Sequence, residues 1–488
     1  MESYTFMWGQ RQSAMITQAM LCQVTKDFDK NGNIIDSGIP ETIFTSVDGV
    51  FEHYMPNDSI QRLEQNGEKN LDSDFVEMLN KKIEDQHKNF YQFCESISKQ
   101  SLANLSNSEL LLRIEDYQNY LNRTLTFFEL STPAGTASLV HSIKNILNVY
   151  VESDKVDDYF LALSTPGEKD STMEERIDQW LHIQNNSITE SDLLHHAWKY
   201  PALFFNTYDV TTVIHFLNDR IKIERQRDIM AEIAKIEKHL SKIKTEHEKI
   251  YVEIHDRRLR QYSITLQRYA LLRYRLKHLW SGAEYLCLGL MQETQKRIDG
   301  NFEDFIKTYS FSDIAKFLET GESLDTQQIS NRLKRTVIHY REGTCNYYYG
   351  DDGEKFLISR GIHKEGHQVS LGTQKIKGNI ANKGLITARA RIINVEDLEQ
   401  FMKDSQLFQK GEILVTTMTS PIMVSLIEKA AGIITDEGGI TSHAAVVSRE
   451  FGIPCLVGTR RASKIIKTGD EIELDANTGC IKILSTHN

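Results

Sequence analysis

The most regular pattern of apolar and polar positions in this chain lies within residues 219–260. Ile229, Ile233, Ile236, Leu240, Ile243, His247, Ile250 and Ile254 follow one another at alternating spacings of four and three, with charged residues between them. That spacing predicts a helix with a heptad seam and coiled-coil character. His247 occupies a seam position and reads as a satisfied polar interruption rather than a metal ligand. A second helix over about 262–298 is expected to fold back as an antiparallel partner. Residues from about 70 to 205 are also helical in pattern, broken at "ELSTPAGTAS" and "LALSTPGEKDSTMEE". The second break ends in Ser171-Thr172 followed by acidic residues, a helix-start signal. "SFSDIAKFLETGESLDTQQISNRLKR" predicts two shorter helices, each opened by Ser or Asp. Around Pro201, the aromatic residues Trp198, Tyr200, Phe204, Phe205 and Tyr208 crowd together as core or domain interface, with a substrate-facing role as the second reading.

Two other regions have a different texture. In the first 60 residues, "CQVTKDFDKNGNIIDSG" places short apolar runs on either side of Asn31-Gly32, a hairpin signal. Asp27, Asp29, Asn31 and Gly32 have the spacing of a calcium loop, but its twelfth position is Gly38 instead of a bidentate Glu, so the hairpin is the reading kept. After 375 come "LITARARIINV", "GEILVTT", "AGIITDEGG", "PCLVG" and "DEIELDANTGCIKIL", with helical stretches at about 395–405 and 421–430. Strands alternating with helices predict a small α/β domain, closed by a hairpin at "DANTG". Glycine becomes frequent from Gly343 onward, marking a boundary near 343–375.

Within that C-terminal domain, "GGITSHAAVVSREFGIPCLVG" runs from Gly438 to Gly458. Gly438 and Gly439 form a turn, and Thr441 and Ser442 are helix-capping types. Ala444, Val447, Ser448 and Phe451 then fall at helical spacing, and Gly452 with Pro454 supplies the stop. His443 is therefore expected in the first turn of a short helix beside a glycine loop, where free N–H groups and the helix dipole favour an anion. An imidazole there can bind an anion, act as acid or base, or accept a phosphoryl group.

Composition narrows the functional classes. The 488 residues carry a net charge of −11, with 26% charged and 40% hydrophobic side chains. These values fit two to four globular domains and argue against a nucleic-acid or membrane surface. No apolar run is long enough to cross a bilayer, and the N-terminus has no signal-peptide pattern. The six cysteines lie far apart without metal-ligand spacing, so reduced thiols in a cytoplasmic protein are expected, with no metal ligands assigned. Only 7 prolines occur in the chain, consistent with a largely helical body.

The stretch from "GEILVTT" to "CLVG", with the upstream "IANKGLITARARII", resembles the phosphohistidine, or mobile swivelling, domain of phosphoenolpyruvate (PEP)-utilising enzymes. PEP synthase, pyruvate phosphate dikinase and rifampicin phosphotransferase carry such domains. The resemblance implies that His443, in the "GG-x-TSHAA" motif, carries the phosphoryl group. Thr441 and Ser442 would then supply catalytic hydroxyls, while Gly438, Gly439 and Arg449 would approach the phosphate. For Arg449 a surface ion pair is the first reading and the approach to phosphate the second. The helices before the domain more loosely resemble the acceptor-holding helical part of the antibiotic-phosphotransferase branch. The expected fold is thus a mainly α-helical N-terminal region of long antiparallel helices, followed by a C-terminal α/β swivelling phosphohistidine domain. Its divisions are a mixed α/β segment at 1–70, a helical acceptor-binding domain at 71–342, a linker at 343–374 and the mobile domain at 375–488.

An ATP-grasp region and a PEP-binding barrel are not recognisable in the sequence. In phenylphosphate synthase the phosphorylating and histidine-bearing parts are separate subunits. The resemblance therefore implies a separate ATP-grasp subunit that handles ATP and Mg2+, with this chain binding neither. Such a chain is a phosphotransferase component acting on a small-molecule acceptor. The alternatives are a non-catalytic relative that binds a partner through its heptad helices, and a transferase loaded by another phosphoprotein.

Overall fold

The computed structural model describes residues 3–11, 39–47, 50–184, 188–204, 207–362, 376–395, 398–439 and 442–486. The hairpin and calcium-loop spacing read at 22–38 lie outside these residues. The chain divides into two units. The first holds 1–138, 204–208 and 275–364, and the second 139–203, 209–274 and 365–488.

The first unit is built on an antiparallel sheet of β1 (Tyr4–Arg11), β2 (Glu41–Val47), β3 (Val50–Pro56), β4 (Arg335–Arg341) and β5 (Thr344–Tyr349), in the order β1-β3-β2-β4-β5. Every residue of β2 is buried, so it needs a strand on each edge, and β4 supplies the second. Ile43 opposes His339 across that pairing. The expected separation of 1–70 from 71–342 therefore gives way to one sheet drawn from both. Residues 343–361, expected as linker, hold β5 and the helix Gly350–Ser359, whose Phe356 and Leu357 pack on Ile43 and Val337. Glu342 and Gly343 both have positive φ (47° and 90°), as a two-residue hairpin between β4 and β5 requires. The remainder of the expected linker, 363–374, lies outside the described residues.

Helices Ser73–Lys99 and Asn107–Leu130 bury Phe90, Phe93, Tyr117 and Leu121 in this unit. The two shorter helices predicted from sequence are Phe311–Thr320 and Thr326–Lys334, with capping boxes opened by Ser310 and Asp325. The single helix expected over 262–298 is divided into Arg257–Trp280, Ala283–Leu286 and Leu288–Ile298, with a break at Ser281-Gly282. Cys94 and Cys287 meet in the core with sulfurs 3.6 Å apart, well beyond the covalent distance of about 2.05 Å.

The second unit joins a helical part to the α/β domain. Helix Ile229–Glu253 buries Ile236, Leu240, Ile243, His247 and Ile250, the seam read from sequence. The shorter helices Val156–Ser164 and Ser171–Gln184 pack on it, and Arg257–Trp280 meets its C-terminal part, with Leu259 and Leu266 clustered with Ile250 and Ile254 and Arg260 paired to Glu248 at 2.7 Å. His247 Nε2 bonds the carbonyl of Ala162 at 3.0 Å, which satisfies the polar interruption.

Among the described residues the α/β domain has eight strands: β6 (Ile376–Lys377), β7 (Asn379–Asn382), β8 (Leu385–Ile392), β9 (Ile413–Thr416), β10 (Gly432–Thr435), β11 (Cys455–Val457), β12 (Glu471–Asp475) and β13 (Cys480–Ser485). Their order is β6-β13-β12-β8-β9-β10-β11-β7. The pairings β8–β9, β9–β10 and β10–β11 are parallel, and the flanking strands antiparallel. β9 ("ILVT") and β10 ("GIIT") are buried throughout, as parallel strands covered on both faces require. Strands β8 to β13 correspond to the runs predicted from sequence, while the short edge strands β6 and β7 were not anticipated.

Candidate functional site

The strands β9 and β10 run parallel, so their carboxyl ends open on the same edge of the sheet. The loops leaving that edge are where open α/β sheets place ligands. The loop after β10 is tied on both sides. Asp436 N–H donates to the Thr416 carbonyl at 3.1 Å and Glu437 N–H to that of Thr417 at 2.9 Å. On the other side the Asp436 carboxylate accepts from Thr459 Oγ1 at 2.8 Å, from the Ser463 N–H at 3.2 Å and from the Ser463 hydroxyl. Gly438 has φ +104°, and a Cβ there would lie 2.8 Å from Ser442 Oγ. Only glycine lets the loop close this tightly. The Gly439 carbonyl then accepts the Ser442 N–H at 2.9 Å, completing the turn.

Helix His443–Phe451 starts at that turn. Ser442 is its N-cap, its hydroxyl accepting the Ala445 N–H at 3.4 Å, and Gly452 ends it in the left-handed conformation (φ +66°). The sequence reading of cap, helix and stop is reproduced. His443 is buried at the first helical position, and its Nδ1 lies 2.8 Å from Thr419 Oγ1. When Nδ1 carries the proton it donates to that hydroxyl, and the lone pair is then on Nε2. The arrangement can orient an imidazole as a nucleophile beside the N–H-rich end of a helix.

The predicted residues divide by position. Gly438, Gly439, Ser442 and His443 form one continuous turn, with Ser442 employed as the cap. Thr441 lies outside the described residues. Arg449 is not brought to this turn. Six residues along an α-helix is a rise of about 9 Å, and its guanidinium donates to the Ala381 carbonyl (2.9 Å) and to Thr165 Oγ1 (3.2 Å). Burial lowers its pKa to about 10. Its surface ion-pair reading is thereby replaced by a half-buried contact to backbone and hydroxyl.

Thr419 was the residue missed. Its signal was the hydroxyl-rich "TTMTSP" directly after a buried parallel strand, ending in the 3-10 turn Pro421–Met423. Asn394 supports the same edge, with Oδ1 accepting from Thr416 Oγ1 at 3.3 Å and from the Thr417 N–H at 3.2 Å.

The far end of the helix meets the helical part of the same unit. Arg176, on helix Ser171–Gln184, pairs with Glu428 at 2.5 Å and approaches Glu450 at 3.9 Å. Its guanidinium also stacks near Trp180 and Phe451, at 4.7 Å and 5.8 Å from the ring centroids. Arg227 takes the other oxygen of Glu428 at 2.6 Å. Deeper in, Glu175 is held by both guanidinium ends of Arg220 (2.7 and 2.8 Å) and by His196 Nε2 (2.8 Å). Against the burial that raises its pKa, these partners bring Glu175 down to about 2. Glu450 goes the other way, to about 7, because burial outweighs the help of Arg176, and Asp170 and Glu428 add repulsion.

The aromatic crowd around Pro201 is largely interior. Tyr200 and Phe204 are buried, Phe204 packs on Tyr285, and the Tyr208 hydroxyl bonds Glu284. Phe205 lies outside the described residues. Among the described residues no group of three or more His, Cys, Asp or Glu side chains is placed to hold a metal ion, and no helix is long and apolar enough to cross a membrane.

Comparison with known proteins bears on the same segment. Residues 408–479 match the family described as PEP-utilising enzyme, mobile domain. A probable PEP synthase of Methanothermobacter thermautotrophicus is 46% identical over 173 residues, 34% of this chain and 24% of that protein. The PEP synthase of Pyrococcus furiosus is 41% identical over 143 residues, covering 28% and 17% of the two chains. The rifampicin phosphotransferase of Bacillus cereus is 30% identical over 203 residues, covering 40% and 21%. The chain thus spans about a quarter or less of each relative's length. A crystal structure of Thermococcus kodakaraensis aconitase X overlaps 23% of the chain at 19% identity, with a TM-score of 0.18, too low for any argument. The matched segment contains the tied loop, Thr419 and His443, and it is this segment that is similar to the mobile domain of PEP-utilising enzymes.

Proposed function

We propose that this chain is the phosphohistidine-carrying and acceptor-binding component of an ATP-dependent phosphotransferase. In this reading a separate ATP-grasp subunit, using ATP and Mg2+, donates the phosphoryl group. Nε2 of His443 forms a bond to phosphorus as the bond from phosphorus to the donor oxygen breaks. In the second step an acceptor oxygen replaces Nε2 on phosphorus, and the imidazole is regenerated. Thr419 holds Nδ1 through both steps, and the helix N-terminus offsets phosphate charge. Phosphoryl transfer depends mainly on positioning and electrostatics, so a site with few side chains suffices. The observation that carries the reading is the His443 ring at the first turn of its helix, oriented by Thr419, inside the segment that matches the mobile domain.

The non-catalytic alternative relied on an apolar helix face for a partner. Helix Ile229–Glu253 instead buries that face within its own unit.

The test is to incubate the chain with ATP labelled at the β-phosphate, with and without an extract of its own cells. Acid-labile label that needs the extract and disappears in His443→Ala is the expected result. Label without any extract would remove the partner subunit from the reading, and no label under either condition would remove the carrier role.

A further inference from the structure

The loop after β11 crosses the same edge of the sheet as the loop that leads to His443. β11 pairs parallel with β10, so residues 458–461 leave the sheet beside residues 436–439. The two loops are bonded to each other. Thr459 N–H donates to the Thr435 carbonyl at 3.1 Å, and Arg460 N–H to that of Asp436 at 2.9 Å. A Cβ on Gly458 would lie 3.0 Å from the Gly438 carbonyl oxygen, and one on Gly438 would lie 2.8 Å from Ser442 Oγ. Two close contacts therefore lead from the Arg460 loop to the residue before His443.

Arg460 stands in this loop with φ +67°, in the left-handed region. That conformation costs free energy for a residue with a side chain, and residues held in it cluster at functional sites. The fold has no need of an arginine there, because glycine adopts the same φ without strain and keeps the N–H that bonds Asp436. What glycine lacks is the guanidinium. Arg460 is exposed, and its side chain forms no ion pair or hydrogen bond among the described residues. Charge gives a second argument. The loops leaving β9, β10 and β11 at this edge, 417–423, 436–439 and 458–461, carry the carboxylates of Asp436 and Glu437, and their positive side chains are Arg460 and Arg461. Arg461 turns into the short helix Ala462–Ile465, its carbonyl accepting the N–H groups of Lys464 and Ile465 at 3.1 and 3.2 Å. A phosphoryl group arriving at this edge adds negative charge to an edge already acidic, and Arg460 is the cation held against the His443 loop.

We propose that Arg460 is a catalytic residue whose guanidinium contacts the phosphoryl group as it passes to and from His443. This rests on the reading of His443 as phosphoryl carrier. A planar guanidinium offers paired N–H donors to phosphate oxygens. A cation at the transferring group offsets the charge that spreads over its equatorial oxygens. The strained backbone fixes the direction in which the side chain leaves the loop, and the bond to Asp436 fixes that loop against the one leading to His443. Arg460 thereby takes the part that the sequence suggested for Arg449, which is bonded to Ala381 and Thr165 instead.

The test uses the full chain with phosphoramidate as a small phosphoryl donor, so that no partner subunit is needed. Nε2 of His443 forms the bond to phosphorus, the P–N bond of the donor breaks, and ammonia leaves with its electron pair. The rate is read by mass spectrometry on the peptide that contains His443, and thermal melting is followed in parallel. Arg460→Gly should slow phosphorylation by at least about tenfold while the melting temperature stays level or rises, because the strain at φ +67° is relieved. Arg460→Asn, whose side chain also tolerates the left-handed region, should do the same, which separates loss of the cation from a gain of loop freedom. Arg460→Lys, which keeps the charge and loses the fork, should fall between these variants and the wild type. Phosphorylation of Arg460→Gly at the wild-type rate, or a slower rate in Arg460→Gly that Arg460→Asn does not share, overturns this inference and leaves the carrier reading standing. A wild-type chain that takes no phosphoryl group on His443, from phosphoramidate or from ATP with extract, overturns both.

Discussion

The two ends of helix His443–Phe451 are built on opposite plans. The N-terminal end is made by a contiguous loop whose bonds are short-range: glycine at φ +104°, a serine cap, and a threonine from the neighbouring strand end on the histidine ring. The C-terminal end is made of distant charges, with Arg449 reaching Thr165, Glu450 reaching Arg176, and Glu428 shared between Arg176 and Arg227. A reacting group needs an exact local frame, which a loop can encode by itself. The swivelling that the resemblance implies requires contacts that can be surrendered, and ion pairs are such contacts because water competes for both partners on separation.

The largest effect is therefore expected at the anchored end. Glu428→Ala leaves two largely buried guanidinium groups without their shared carboxylate. Breaking such a pair by removing one partner costs about 3 kcal/mol. Urea unfolding should show a loss of that size. A loss under about 1 kcal/mol would mean that the two arginines find other partners and that the anchor is not built on Glu428.

At the reacting end, Thr419→Val removes the bond that orients the ring while preserving side-chain shape. Leaving Nδ1 without it costs about 1–3 kcal/mol, which corresponds to a labelling rate slower by about 5- to 150-fold. Stability should change little. A variant that labels at the wild-type rate would show that His443 is oriented by its backbone position alone.

These two ends also differ in how far the sequence discloses them. Gly438, Ser442, His443 and Gly452 could be placed from sequence because each acts on neighbours within a few residues, through turn geometry and capping. Thr419 contacts a residue 24 positions later, and nothing local marks it beyond hydroxyls after a buried strand. Arg449 was misjudged for the same reason, since Thr165 stands 284 positions away. Likewise β4 was hidden because the strand it completes, β2, lies almost 300 residues earlier. The helix starts at Ser310 and Asp325 were legible, and the burial of Thr172, Glu175, Arg176 and Gln179 on helix Ser171–Gln184 was not. Periodicity finds apolar faces, and a buried face of Thr, Glu, Arg and Gln looks solvated until its neighbours are known.

Acid and base should act oppositely on two buried carboxylates near the anchor. Glu175 has its folded pKa depressed to about 2, so its contribution is present above its unfolded value of 4.5 and is lost as pH falls through about 2. Glu450 has its folded pKa raised to about 7, so its protonated form is the one the fold favours. Its contribution is full below the unfolded value of 4.5 and is lost as pH rises through about 7. Between pH 5 and 7, Glu450→Gln should flatten the stability profile by up to about 1 kcal/mol per pH unit. An unchanged slope would show that Glu450 is already ionised across that range.

The smallest effect belongs to Lys383, which pairs with Asp158 at the surface. Both side chains are about half exposed (43% and 56%), so water and salt screen the pair. Exposed pairs are worth about 0–1 kcal/mol, and Lys383→Ala should lower stability by less than about 0.5 kcal/mol at physiological salt. The pair bridges β7's neighbourhood to helix Val156–Ser164, as the buried cluster bridges Glu428 and Glu450 to helix Ser171–Gln184. Geometry alone would rank the two contacts equally. Measuring both variants at low and high salt separates them, because the Lys383 term should vanish with salt while the Glu428 term persists. Should Lys383→Ala prove as damaging as Glu428→Ala, and salt erase both, desolvation would not be what distinguishes the anchored end, and the contrast between the two ends of the helix would reduce to charge alone.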